Sequence, residues 1–341
     1  MLQPVSITYG ADPEGFFMKD GKVIGSDKIL PEEGLRLSPY TSPVVVRDGV
    51  QFELNPMACT NPMGVAGSLA VSFSLLRRYL RDQQPGVTCD FSRVREVSRE
   101  ELDSLSQKAR ELGCKPSQNI YLGKTKPLNC DPKTYLKRSL GGHVHLGLMS
   151  TNVYTMAQNR DARQRLIPLL DIFVGNFCVL FDQDPGAAER RQNYGRAGEY
   201  RLVKYGVEYR TLDNFWLTNY TLMNFVFGMC NLATSVLVTT LAGRDVETEL
   251  TKIVNIKRVI KAINNNDAKL ARKNVEDLRG FLEANLPDTP FFPMRPRTVG
   301  KFIELTDAVR DMGVDGFFGG DPLTHWNSTA RVSFSEYMEG L

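Results

Sequence analysis

The stretch "GGHVHLG", residues 141–147, carries two of the three histidines in the chain. Side chains in a β-strand alternate between its faces, so His143 and His145 share one side while Val144, Leu146 and Leu148 share the other. One face then belongs to a core and the other presents imidazoles. Taken alone, such a pair suits a half-exposed sheet that hydrogen-bonds to neighbours or water as well as it suits a binding site. What separates the two readings is whether other strands repeat the design.

Three other segments do repeat it. In "VQFELN" (50–55), Phe52 and Leu54 point one way and Glu53 with Asn55 the other. In "GVEYRTL" (206–212), Val207, Tyr209 and Thr211 oppose Glu208 and Arg210. In "GADPEGFF" (10–17), Asp12 and Glu14 share a face, with Pro13 between them marking an edge or a bulge. If these strands belong to one sheet, their polar residues converge on one cleft. Converging carboxylates repel, and ionised groups withdrawn from water need partners that divalent cations commonly supply. Asp, Glu and His on rigid strands suit magnesium or manganese. Zinc is the competing ion, but a set rich in carboxylate and free of cysteine favours the harder cations. The sequence has no HExxH helix to support a zinc peptidase.

Arginines crowd the approach to the last of these strands. Arg190, Arg191, Arg196, Arg201, Lys204 and Arg210 are interleaved with Gly195, Gly198 and Gly206. Guanidinium forks match phosphate oxygens, and cation plus arginine is a common means of stabilising a transferring phosphoryl group. Alternation sets Arg210 beside Glu208. Neither a Walker A sequence nor GxGxxG occurs, so nucleotide binding would need a different architecture.

The rest of the chain supplies a frame. At 341 residues and 42% hydrophobic, it can bury a large core, and its net charge of +3 is too small to argue for nucleic acid. Six cysteines lie scattered with no CxxC pair, which reads as reduced thiols. The first residues show neither a basic nor an apolar leader region, so the cytoplasm is the default expectation. Asp20-Gly21 and Asp48-Gly49, each flanked by strand-like residues, predict two hairpins. Apolar spacing predicts a helix over 64–82, Ser98 with Glu101 predicts a capped helix to about 112, and a long apolar helix containing Pro168 is expected over 161–181. Residues 222–243 are long enough to span a membrane, yet Asn224, Asn231 and several hydroxyl residues make a buried core helix the better reading. From about 246 onward the pattern is amphipathic helix with a glycine-rich tail. No linker or repeat divides the chain. The expectation is one α+β domain over 1–341, with the catalytic sheet at roughly 7–230 and a helical elaboration at roughly 246–341.

Read together, "GADPEGFFMKDGKVI", "GGHVHLG" and "YGRAGEYRLVKYGVEYRTLDNFWLTNYTL" resemble the carboxylate-amine ligases of the glutamine synthetase and glutamate-cysteine ligase superfamily, in particular its phage-encoded branch. The resemblance covers roughly 7–230. It implies a glutamine synthetase-like catalytic fold: a curved antiparallel sheet with helices on its convex face. It also implies ATP and Mg2+ (or Mn2+) as cofactors, with Glu14, Glu53, His143 and Glu208 holding the divalent ions. His145 would approach ATP, Arg210 would meet the transferring phosphate, and Arg191, Arg196 and Arg201 are the further phosphate candidates. Asp12 stands where many members carry glutamate, which makes it an outer or weaker metal ligand, and no second glutamate pair is evident around Glu53. The implied activity joins a small-molecule or peptide carboxylate to an amine through an acyl phosphate, in the host cytoplasm if the protein is phage-encoded. A guanidino phosphotransferase of related architecture and an inactive, metal-stabilised binding protein are the alternatives. Oligomeric state and the two substrates are not legible.

Overall fold

A computed structural model describes residues 7–110, 117–125, 134–147 and 159–285, together with residues 2, 5, 130, 307, 308, 311, 312 and 326. In chain order its strands are β1 Thr8–Ala11, β2 Glu14–Lys19, β3 Lys22–Ile24, β4 Val45–Asp48, β5 Gln51–Leu54, β6 Thr88–Asp90 and β7 Val94–Glu96, followed by β8 Gln118–Asn119, β9 Lys124–Thr125, β10 Lys137–Ser139, β11 Val144–Gly147, β12 Glu199–Val203 and β13 Gly206–Tyr209. They form a mixed α+β fold on a curled antiparallel sheet. The larger sheet has six strands in the order β1-β11-β13-β12-β8-β9, and a second is ordered β3-β2-β5-β4 with β6 also on β2.

Pro13 joins the two sheets. Its ring leaves no N–H for a ladder, so β1 stops before it and the chain restarts as β2 in the neighbouring sheet. The Pro13 carbonyl accepts from the Leu54 amide at 2.9 Å, and the Glu14 amide donates to the Gly141 carbonyl at 3.0 Å. The "ADPE" corner is therefore held by β5 on one side and by the chain just before β11 on the other.

Both predicted hairpins form, with different turns. Asp20 and Gly21 both take positive φ, 51° and 74°, as a type I′ turn requires. In the second, Asp48 pairs with Gln51, so the loop is Gly49-Val50, with Gly49 at φ 63° in the first position as in type II′. That shift makes Asp48 a strand residue.

The helices follow local chemistry. Asn61 caps Pro62–Gln83 through the Gly64 amide, and Pro62 fills the first turn, where an N–H would have no partner. Ser98 caps Arg99–Ser104 through the Glu101 amide, but Glu101 turns its carboxylate to the Gly25 amide and Lys28, and a second short helix, Gln107–Arg110, takes over. In Arg160–Phe181, Pro168 withdraws one intrahelical hydrogen bond, and Asp171–Gly175 relaxes into π geometry just beyond it. Among the described residues, two helices are apolar and long enough to cross a membrane, Arg160–Phe181 and Leu222–Leu241, and most residues of both are buried inside this fold. They pack on each other and back the six-stranded sheet, where Val144, Leu146, Val207 and Tyr209 are fully buried. The helical region after 246 runs to Asn285 as four short helices. The helix expected around 298–313 and the glycine-rich tail fall largely outside the described residues.

Candidate active site

Register decides what the polar face carries. Gly10, His145, Glu208 and Arg201 lie side by side across β1, β11, β13 and β12. One step back along the strands, beyond the ladder, stand Asp12, His143 and Arg210. Asp12 links the two histidines: its Oδ1 is 3.0 Å from His143 Nδ1 and its Oδ2 3.2 Å from His145 Nε2. Glu208 Oε1 is 3.8 Å from His143 Nδ1 and 3.0 Å from Arg210 Nε, while its Oε2 is 3.1 Å from Arg201 Nη1. His143, Glu208 and Arg210 are each 1% exposed.

A second acidic group adjoins the first. Glu14 and Glu53 are register partners across β2 and β5. Asp48 sits diagonally from Glu53, because Val46 is the residue opposite it and strand faces repeat every second position. Ligand atoms of Glu14, Asp48 and Glu53 lie within 4.8 Å of one another, as do those of Asp12, His143 and Glu208. Glu14 Oε2 also accepts from the Gly141 amide at 2.6 Å.

Burial and crowding set the protonation of this patch. Burial raises Glu53 to about 10, with Asp12, Asp48 and Glu14 adding to the effect. Asp48 rises to about 6, mainly by burial. Glu14 is pushed well above the carboxylate range by burial and by Asp48. Asp12 goes the other way: burial would raise it, but His143 and His145 outweigh that and hold it well below the usual range. Burial lowers His143, whereas for His145 the pull of Asp12 overcomes burial and raises it.

The donor set fits a divalent cation. Asp12 Oδ1, His143 Nδ1, His145 Nε2 and Glu208 Oε1 are buried without an aligned hydrogen bond, although each lies within 4 Å of an oppositely polarised atom. Buried polar atoms are ordinarily satisfied. Ligand atoms of Asp12, His143 and Glu208, and of Glu14, Asp48 and Glu53, lie close enough within each group to share an ion, and five carboxylates with one imidazole match the preference of magnesium or manganese.

The sequence signatures also lock together behind this face. Gly142 donates to the Leu212 carbonyl at 3.2 Å, Trp216 Nε1 donates to the Gly142 carbonyl at 3.0 Å, and Asn214 Nδ2 donates to the Glu14 carbonyl at 2.9 Å. A Cβ on Gly142 would lie 2.2 Å from the Asp213 carbonyl oxygen. Arg190 holds the Thr211 and Leu212 carbonyls at 3.0 and 2.9 Å. Arg93 meets Asp182 and Asp213 at 3.3 and 3.6 Å in a buried ion group.

Of the predicted site residues, Asp12, Glu14, Glu53, His143, His145, Arg201, Glu208 and Arg210 come together on this face. Arg191 and Arg196 do not join them. Arg191 is buried against Asn266, with Asp213 and Asp182 as the opposing charges, and Arg196 Nε donates to the Arg191 carbonyl at 2.8 Å. Asp48, Tyr194 and Tyr205 are added. Tyr194 reaches His143 Nε2 at 2.7 Å and Tyr205 reaches His145 Nδ1 at 2.6 Å. Asp48 was within reach of the sequence, since alternation runs back from Glu53 through a two-residue loop. The two tyrosines carried no such signal.

A family model matches residues 131–277. Its description is Phage phiEco32-like COOH.NH2 ligase-type 2. The matched stretch contains His143, His145, Arg201, Glu208 and Arg210, while Asp12, Glu14, Asp48 and Glu53 precede it. No curated protein matches the chain. Among solved structures, the chain resembles a bifunctional glutathione synthetase from Pasteurella multocida at a TM-score of 0.51 and 13% identity, over 96% of this chain and 52% of that one. The chain thus spans about half the length of that structure, and at this identity the likeness is one of fold. The family match supports carboxylate-amine ligase chemistry in general.

Proposed function

We propose that this protein is an ATP-dependent ligase that joins a carboxylate to an amine through an acyl phosphate, on a sheet of the glutamine synthetase-like type. One observation supports the reading: two groups of side chains that could hold a cation adjoin Arg201 and Arg210, so carboxylates, an imidazole and guanidinium forks meet at one place.

Magnesium or manganese held by Asp12, His143 and Glu208 on one side and by Glu14, Asp48 and Glu53 on the other would neutralise the charge of the ATP phosphates. Arg210 is rigid, buried and braced on Glu208, and it meets the transferring phosphoryl group. Arg201 is 41% exposed at the side chain and reaches an outer phosphate. His145 with Tyr205 borders the nucleotide. The substrate carboxylate oxygen attacks the γ-phosphorus, the bond to ADP breaks, and an acyl phosphate results. The amine nitrogen then attacks the acyl carbon, the bond to phosphate breaks, and the nitrogen gives up its proton. Products are an amide, ADP and inorganic phosphate. Fixed dipoles and charges lower both barriers without rearranging, which is the main contribution phosphoryl transfer asks of a protein. Arg191 and Arg196 hold the scaffold behind this face. The partners are small-molecule or peptide substrates, and the compartment is the cytoplasm, that of the host for a phage-encoded chain.

The test uses hydroxylamine as a small nucleophile in place of the unknown amine. With ATP, magnesium and a cell metabolite extract, the protein is expected to yield a hydroxamate together with ADP and phosphate, read by mass spectrometry. A stable phosphorylated guanidine without hydroxamate would establish a phosphotransferase instead. No consumption of ATP under any supply of acid and amine would leave a binding protein.

A further inference from the structure

Tyr194 stands behind the metal-facing histidine, and nothing in the reaction outlined above uses it. Its hydroxyl lies 2.7 Å from His143 Nε2, and the two rings meet edge-on at 5.6 Å and 79°. Two guanidinia lie over the phenol ring, Arg190 at 4.8 Å and Arg210 at 5.1 Å from its centroid. Its amide donates to the Arg190 carbonyl at 2.8 Å. The next residue, Gly195, has φ +78° and presses so closely on Arg190 that a Cβ there would lie 1.8 Å from Nη1. On the other side, His143 rides over Gly141, where a Cβ would meet Nε2 at 2.6 Å. His143 is buried and Tyr194 is partly buried beside it.

We infer that Tyr194 is a positioning residue that sets which nitrogen of His143 carries the proton, and thereby frees Nδ1 to face a cation. The inference rests on the proposed cation site. A neutral imidazole has one N–H and one lone pair. Nδ1 faces Asp12 at 3.0 Å and Glu208 at 3.8 Å, and it makes no aligned hydrogen bond there. For Nδ1 to offer its lone pair to an ion, the proton must sit on Nε2, in a residue 1% exposed. The Tyr194 oxygen is the acceptor that makes that tautomer tenable. Residues that orient a ligating histidine through its second nitrogen typically contribute 10- to 100-fold to metal affinity.

The experiment measures manganese binding by calorimetry on the full chain and on Tyr194→Phe, which keeps the ring against Arg190 and Arg210 and removes only the oxygen. We expect about a 10-fold loss of affinity with cooperative unfolding retained. In parallel, imidazole 15N shifts of the wild type are recorded with and without magnesium. Three histidines make the spectrum tractable, and His143→Gln assigns the signal. With magnesium the proton of His143 is expected on Nε2 in the wild type, and the share of that tautomer without magnesium is expected to fall in Tyr194→Phe, whose shifts are recorded alongside, a change that a merely packing role for Tyr194 would not produce. Affinity in Tyr194→Phe within twofold of wild type overturns the inference, as does a proton on Nδ1 in the magnesium-loaded wild type. If Tyr194→Phe does not fold, Tyr194→Leu, which also lacks the oxygen, takes its place under the same criteria. Failure of the wild type itself to bind manganese or magnesium overturns the cation site, and this role of Tyr194 with it.

Discussion

Glu14 and Glu53 stand directly opposite one another across the antiparallel pair of β2 and β5, with Asp48 diagonal to Glu53 on the same face. Like carboxylates in that position repel, and their burial compounds the cost. Without a cation the cluster accommodates this by keeping protons, which is why Glu53 sits near 10 and Asp48 near 6.

The sign of the resulting pH dependence follows. A carboxyl whose folded pKa lies above its unfolded value, about 4, binds protons in the native state that the unfolded chain has already lost. Its stabilisation is complete below the unfolded value and is lost as pH rises through the folded one. For Asp48 that window ends near 6, and for Glu53 near 10. Thermal unfolding of the cation-free protein should therefore come at lower temperature as pH rises from about 5 to about 9. Glu53→Gln should flatten the trend. Millimolar manganese should flatten it too, because an ion that binds only the native state raises its melting temperature by mass action. A melting temperature independent of pH and of manganese would contradict a coupled, ion-binding cluster.

The two histidines of β11 and its approach should separate in titrations. His143 is buried between Asp12, Glu208 and Tyr194, whereas His145 keeps 20% of its side chain exposed beside Tyr205. His143→Gln should lower manganese affinity by about 10-fold or more, the range expected for a ligand and its outer partners. His145→Gln should leave manganese binding nearly intact and weaken MgATP. Calorimetry with one ligand held saturating while the other is varied measures each effect, and equal, small losses would return both residues to a structural role.

Arg210 should matter to turnover more than to binding. Its Nε braces on Glu208 at 3.0 Å while its plane lies over Tyr194. Lysine keeps the charge and loses the planar fork. Arg210→Lys is expected to bind MgATP with modest loss and to form hydroxamate about 100-fold more slowly, roughly 2.7 kcal/mol of transition-state stabilisation. A proportionate loss in both would mean that Arg210 binds ground state and transition state alike.

Gly142 is needed for packing. A methyl group there would sit 2.2 Å from the Asp213 carbonyl oxygen and would push the "LDNFW" segment off the approach to β11. Gly142→Ala should cost about 2 kcal/mol, in the range of overpacked cores, read as a shift of the urea midpoint at unchanged slope. A neutral substitution would show that this contact gives way easily.

Several parts of this protein were legible in its residues alone. Alternation along "GGHVHLG", "VQFELN" and "GVEYRTL" separated apolar from chemical faces, and Asp-Gly pairs marked both hairpins, because strand period and turn conformation depend on neighbours in sequence. The apolar helix over 222–243 was read as core from the Asn and hydroxyl residues within it. Tertiary structure decided which strands lie side by side, since pairing of β1 with β11 and of β11 with β13 joins residues far apart in the chain. That pairing turned two histidines, seen first as a metal ligand and a nucleotide contact, into partners of one carboxylate, Asp12. Pairing of β2 with β5 and of β5 with β4 brought Asp48 to Glu14. Only the fold chose between Arg190 and Arg191: successive residues of a helix point about 100° apart, so one could face the sheet and the other could not. Arg190 took the carbonyls behind Arg210, and Arg191 turned to Asn266. The pattern of an element is written in its own residues, but the orientation of a side chain toward distant groups is set by the packing that buries it.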